Sequence, residues 1–218
     1  MKFKNKTKGL MAYILMPLAF LIIGYSVIYF ALSPFIEAVI SVWDMVQLSG
    51  TINEEDESLY NGSSVLGGTV KSSTITFPNY GTEYARLSIP SAEINAPIFF
   101  GDGQKQLSKG IGHYNGSDFP GMGSTILLSG HNNTYLHTID RAQIGDNITI
   151  TTSYGVYVYK INEIKIVDSG NVSATNISAD EENLVIYTCY PLSTLGLTSK
   201  RYFVYAEYVS GPVIIINE

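Results

Sequence analysis

The chain has 218 residues, 45% of them hydrophobic and only 15% charged, with a formal net charge of −6 at pH 7. That length holds one ordinary domain plus an anchor and is too short for two full enzyme domains with an anchor. Four of the 13 Lys and Arg residues are Lys2, Lys4, Lys6 and Lys8, leaving nine basic against 19 acidic residues and a net of −10 elsewhere; without a basic footprint to neutralise phosphates, no nucleic-acid partner is expected. The single cysteine, Cys189, rules out an intramolecular disulfide framework. A lone thiol is packed and inert, paired with another chain, or a nucleophile.

In chain order, the first element is apolar. No charged residue occurs between Lys8 and Glu37, and the run from Leu10 to Leu32 is rich in Leu, Ile, Ala and Phe. A bilayer core needs about 20 apolar residues as helix, whereas cleavable signal peptides have apolar regions of about 7–15 residues ending in small residues. This run is longer and no such site follows it. Residues 9–34 are therefore expected to be a transmembrane signal anchor, with the basic tail 1–8 cytoplasmic and the rest of the chain outside the cell. Pro17 and Pro34 are tolerable within the span and near its exit. The C-terminal stretch Val213 to Ile216 is far too short for a second span.

Residues 35–80 read as a juxtamembrane helix, with Trp43 near the interface, and then a linker rich in Ser, Gly, Asn and acids. Its acidic run, Glu54 to Glu57, reads as a solvated segment. The domain 81–218 has the text of short strands: Ala85 to Pro90, Ala96 to Phe100, Ser124 to Ser129, Asn147 to Thr152, Val156 to Ile161, Leu184 to Thr188 and Tyr202 to Val209. The fourth and fifth form a hairpin around Gly155, and a helical turn or two is expected from Tyr135 to Gln143. Strands this short and closely spaced predict an antiparallel barrel or sandwich.

The strongest chemical signal surrounds Cys189. An apolar strand runs into Thr188, Cys189, Tyr190 and Pro191, and Pro191 stops regular pairing, so the thiol sits where a strand ends and a loop opens. A thiol nucleophile needs a base. His131 follows the apolar run Ile126 to Leu128 through Ser129 and Gly130, placing it at a strand end as well. His113 is a loop histidine or a substrate-shaping residue, and His137 reads as a surface residue. Acyl transfer also develops an oxyanion. Arg201, opening the last strand, returns to the cysteine rim if that strand pairs with the one ending at Cys189. The histidines lack HExxH spacing and there is no CxxC, so no metal is expected; no phosphate-cradling Gly-rich loop occurs, and no cofactor is expected.

These residues resemble a known family. Val185-Ile186-Tyr187-Thr188-Cys189 is similar to the sortase motif Thr-Leu-x-Thr-Cys, with Val and Ile in place of Thr and Leu. Ser129-Gly130-His131 is similar to the family's histidine segment, Gly112-His113-Tyr114 followed by Phe119-Pro120-Gly121 also resembles it, and Arg201 stands where the family carries its arginine. The wording Thr-Cys-Tyr-Pro and the single N-terminal anchor look most like class D. The resemblance spans roughly Ala85 to Val209.

It implies a mainly β fold, an eight-stranded antiparallel β-barrel with short helices, in a Gram-positive bacterium. By the same resemblance Cys189 attacks the carbonyl after Thr in an LPxTG-like sorting signal to give a thioacyl enzyme. His131 serves the leaving and incoming amines, Arg201 steadies substrate and oxyanion, and Thr188 and His113 bind substrate. The implied partners are sorting signals of surface proteins, a peptidoglycan-precursor amine and the cell membrane. Two rivals remain: a thiol peptidase of the same fold with water as acceptor, and an anchored binding module whose Cys189 is merely packed.

Overall fold

The computed structural model describes residues 13, 15–33, 67–194 and 198–215. The basic tail 1–8, Trp43 and the acidic run at 54–57 lie outside the described residues. Helix α1, Leu15–Ser33, has 19 residues and is long and apolar enough to cross a membrane. Its two serine hydroxyls are satisfied within the helix. Ser26 Oγ donates to the Ile22 carbonyl at 2.8 Å and Ser33 Oγ to that of Phe30 at 3.1 Å, as a helix in lipid requires. It fits a single-pass anchor.

The remaining described residues form strands β1 (Thr69–Lys71), β2 (Glu83–Ile89), β3 (Ile94–Phe100), β4 (Ile111–His113), β5 (Thr125–Ser129), β6 (Asn147–Thr152), β7 (Gly155–Asp168), β8 (Asn183–Tyr190), β9 (Lys200–Ser210) and β10 (Val213–Ile215). One short helix, α2 (Gln104–Leu107), links β3 to β4. Eight strands close a barrel in the order β2-β3-β4-β5-β8-β9-β7-β6. The closed eight-strand barrel matches expectation. Two of its seams, β3–β4 and β5–β8, are parallel, and the other six are antiparallel.

The core follows from period-two alternation. Leu87 and Ile89 of β2, Ile98 of β3, Ile126 and Leu128 of β5, Ile148 and Ile150 of β6, Leu184 and Ile186 of β8 and Val204 of β9 fill the interior. The hairpin at Gly155 forms as β6–β7, closed by Thr152 Oγ1, which accepts from the amides of Tyr154 and Gly155 at 3.2 and 3.0 Å. In the stretch expected to be helical, the chain makes a single 3-10 turn at Ile139–Arg141. Part of the expected linker is ordered against the barrel. β1 pairs in parallel with β10, and the Phe77 ring lies 5.4 Å from Phe119. Strands of three residues show too little alternation to be read from sequence.

A second apolar cluster, Leu127, Ala174, Val185 and Phe203, lies on the outer face of β5, β8 and β9. The connection between β7 and β8 covers it, tied down by Tyr205 Oη to the Ala174 carbonyl (2.9 Å) and Thr125 Oγ1 to that of Asn176 (2.6 Å).

The connection ends in a latch. The Glu182 carboxylate accepts from the Gly121 amide at 3.0 Å, the Gly123 amide at 3.1 Å and Tyr159 Oη at 2.7 Å. Gly121 has φ +91°, and a Cβ there would stand 2.7 Å from Tyr157 Oη, so backbone conformation and close approach both require glycine. Burial pushes the Glu182 carboxyl above its usual range, with its three donors opposing that shift. Removing the carboxylate strands these donors in a half-buried setting. Glu182→Ala is expected to lower unfolding stability by about 2–4 kcal/mol, with unchanged m-value, in urea titrations followed by circular dichroism. A loss below about 0.5 kcal/mol would mean that water replaces the latch.

Candidate active site

Alternation along β8 sends Leu184, Ile186 and Thr188 inward and Val185, Tyr187 and Cys189 outward. β9 runs antiparallel beside it, with Cys189 directly opposite Arg201. Directly opposed residues share a face, with Cβ atoms about 4.5–5.5 Å apart, so the thiol and the guanidinium stem rise from the same patch. Cys189 is a free, half-buried cysteine. Arg201 Nη1 lies 2.8 Å from the Thr198 carbonyl oxygen and 2.9 Å from that of Lys200, which anchors one arm of the guanidinium. Its Nε and Nη2 make no hydrogen bond among the described residues, leaving N–H donors for an incoming anion or carbonyl.

His131 reaches the same rim through the parallel seam. Ser129 of β5 is in register with Tyr187 of β8, and His131 and Cys189 each lie two residues farther along. Two bonds stitch the strand ends together between them. The Gly130 amide donates to the Tyr187 carbonyl at 3.3 Å, and Thr188 Oγ1 donates to the Gly130 carbonyl at 2.8 Å. Burial pushes the His131 imidazole below the usual histidine value of 6.5, favouring its neutral form. Its Nε2 is buried without a hydrogen-bond partner among the described residues. An unsatisfied ring nitrogen at the thiol's rim suits a proton carrier.

The next residue, Asn132, is buried and holds the loop that follows Cys189. Its Nδ2 lies 3.0, 3.3 and 2.9 Å from the carbonyl oxygens of Pro191, Leu192 and Thr194. Sequence reading passed over Asn132, because only the fold brings that loop to it. It also passed over Tyr187, although the alternation that points Cys189 outward places Tyr187 on the same face. The Tyr187 ring stacks on Phe203 at 5.2 Å, and its hydroxyl, bonded to the Ser129 side chain, is pushed up by burial. His137 is exposed and bonds the Thr134 carbonyl within its own turn. Among the described residues no group of three or more His, Cys, Asp or Glu side chains is placed to hold a metal ion.

The sortase-domain family model matches residues 87–209, which contain the whole rim. Sortase D of Bacillus subtilis (strain 168) is 32% identical over 164 residues, covering 75% of this chain and 77% of that protein. The chain belongs to the sortase family. Members are cysteine transpeptidases, and the Bacillus subtilis relative is of the D type. A solved sortase D5 transpeptidase from Clostridium perfringens superposes with a TM-score of 0.56 at 28% identity, over 63% of this chain and 85% of that one. Sortase C of Streptococcus pneumoniae, at 20% identity and TM-score 0.54 over 60% and 72% of the chains, shares the fold.

The side chains of Thr188 and His113, two residues expected to bind substrate, are buried. Thr188 turns inward, 2% exposed, and its Oγ1 donates to the Gly130 carbonyl, one residue before His131. His113 is 0% exposed, because β4 sends it among the rings of Tyr84, Phe100 and Phe119. Its Nδ1 lies 2.7 Å from Tyr84 Oη and its Nε2 3.0 Å from Ser117 Oγ. Ser117 Oγ already donates to the Tyr114 carbonyl, so it accepts from His113 Nε2–H, and Nδ1 accepts from Tyr84. Burial pushes His113 down to about 4.

Between pH 6.5 and about 4 the unfolded chain takes up a proton at His113 that the native state declines, so stability falls as pH drops through that window. The sortase is expected to lose on the order of 3 kcal/mol in this way by pH 4. A His113→Gln variant, which keeps a donor and an acceptor but does not titrate, lacks that component. Urea titrations at several pH values test this, and parallel acid losses in both proteins would exclude His113 as the source.

Proposed function

We propose that this sortase cleaves an LPxTG-like sorting signal after Thr and transfers the cleaved protein to an amine of a cell-wall precursor. The observation that carries the reading is the convergence of Cys189, Arg201 and His131 on one rim, the first two as a cross-strand pair and the third in register through the parallel seam. Cys189 Sγ attacks the carbonyl carbon after Thr, and its proton passes through His131 to the leaving amine as the C–N bond breaks. The free N–H groups of Arg201 face the oxyanion and the substrate backbone. An incoming amine then attacks the thioester carbonyl and yields a proton to His131. The C–S bond breaks, a new amide forms, and the proton returns to Sγ. Helix α1 anchors the chain with its N-terminus in the cytoplasm, leaving the barrel on the outer side, where wall precursors and sorting signals meet it.

The test is intact-mass analysis of the full chain in detergent micelles with an LPxTG-like peptide. A thioacyl adduct is expected that Cys189→Ala abolishes and an added amine discharges. His131→Ala is expected to slow transfer by about 10²–10⁴-fold and Arg201→Ala by about 10²–10³-fold. No adduct with any signal variant would sink the proposal, and adduct discharged only by water would turn it into a peptidase.

The pH profile is a second check. Burial disfavours the charged imidazole, so the acid limb of transfer is expected below pH 6.5, the ordinary histidine value. An acid limb above 6.5 would show that a different group, or a charged partner of His131, governs the rate.

A further inference from the structure

Asp102 lies just past the end of β3, where the Gly101 amide donates to the His113 carbonyl at 2.8 Å. That bond lays the chain over β4. A Cβ on Gly112 would stand 2.9 Å from Asp102 Cα and 3.0 Å from the Gly101 carbonyl oxygen, so Asp102 rides on the outer face of β4 only because position 112 has no side chain. Gly112 pairs with Ser129, and Ser129 pairs with Tyr187. Asp102, Ser129 and Tyr187 therefore follow one another across the outer face, and Cys189 is the next outward residue along β8. Asp102 is half-buried, and its carboxylate has no hydrogen bond or ion pair among the described residues. Three other carboxylates are engaged: Glu93 with Arg141, Glu163 with Lys165, and Glu182 in its latch.

Charge is thus segregated about the thiol. On the β9 side stands Arg201; on the β5 side stand His131 and, beyond Ser129, Asp102. An acceptor amine arrives at neutral pH as an ammonium and must meet His131 to attack. We propose that Asp102 is the acceptor-recognition residue, its carboxylate drawing the incoming ammonium to the β5 side of Cys189; this rests on the transpeptidase reading above. Burial and the Ser129 side chain act most on the Tyr187 phenol, midway along the row, with a smaller upward push from Asp102 and a smaller downward one from Arg201. The ammonium releases one proton to solvent and, as the neutral amine attacks, a second to His131. His131 returns that proton to Cys189 Sγ as the C–S bond breaks.

The test sets a charged acceptor against a neutral one. Full chain in detergent micelles, supplied with an LPxTG-like peptide at pH 7.5, is offered triglycine amide, largely an ammonium at that pH, together with hydroxylamine, which is uncharged. Asp102→Asn is expected to lower the ratio of triglycine amide to hydroxylamine product about 3- to 10-fold, and Asp102→Glu to restore most of it. An unchanged ratio, or equal loss of both products, would overturn the assignment. Failure of the unsubstituted chain to form a thioacyl adduct would overturn the transpeptidase reading, and the inference with it.

Discussion

The parallel contact between β5 and β8 is the constraint on which the site depends. Neither strand is adjacent to the other in sequence, and the β6–β7 hairpin separates them. Because the two run the same way in register, their C-terminal ends open at one rim, and the residues two steps past the Ser129–Tyr187 pair are a histidine and a cysteine. Thr188 Oγ1 and the Gly130 amide then fix the two ends to each other with hydrogen bonds in a protected setting. A slip of one residue in this seam would turn Cys189 into the core and Thr188 outward. The inward residues Leu184 and Ile186 set the register, since either would lose its burial in the slip.

Each strand of β8 and β9 serves two faces at once. Inside, Leu184, Ile186, Val204 and Ala206 close the barrel. Outside, Val185, Tyr187, Phe203 and Tyr205 make a smaller apolar patch, with Phe203 stacked on both neighbours at 5.2 and 5.7 Å. The outer patch leads directly to the thiol, and the connection held by Glu182 roofs its far part. The strands thus carry the candidate site, while the covering segment is tied down by a few specific bonds at its ends.

Much of this was legible from residues alone. The apolar run Leu184 to Tyr187 broken by Pro191 marked a strand ending at a thiol, and the run ending at Ser129 marked a second strand end at His131. Alternation in Asn147 to Thr152 and the small residue at 155 disclosed the hairpin. What escaped is what depends on the third dimension. β4 has three residues, too few to show a period, so the burial of His113 and its bonds at both nitrogens could not be read there. The inward turn of Thr188 follows from the same alternation that exposes Cys189, but choosing which of the two faces inward requires knowing where the core lies. The parallel seams escaped because no local pattern distinguishes a strand's partner direction.

The hold that Asn132 exerts on the loop after Cys189 has a consequence for motion. One side-chain amide serves three carbonyls, at Pro191, Leu192 and Thr194, so those residues do not loosen one at a time. Loss of that one side chain would remove all three anchors together. Asn132 is also joined through a single peptide link to His131, so the loop after Cys189 and the segment bearing that imidazole share one point of attachment.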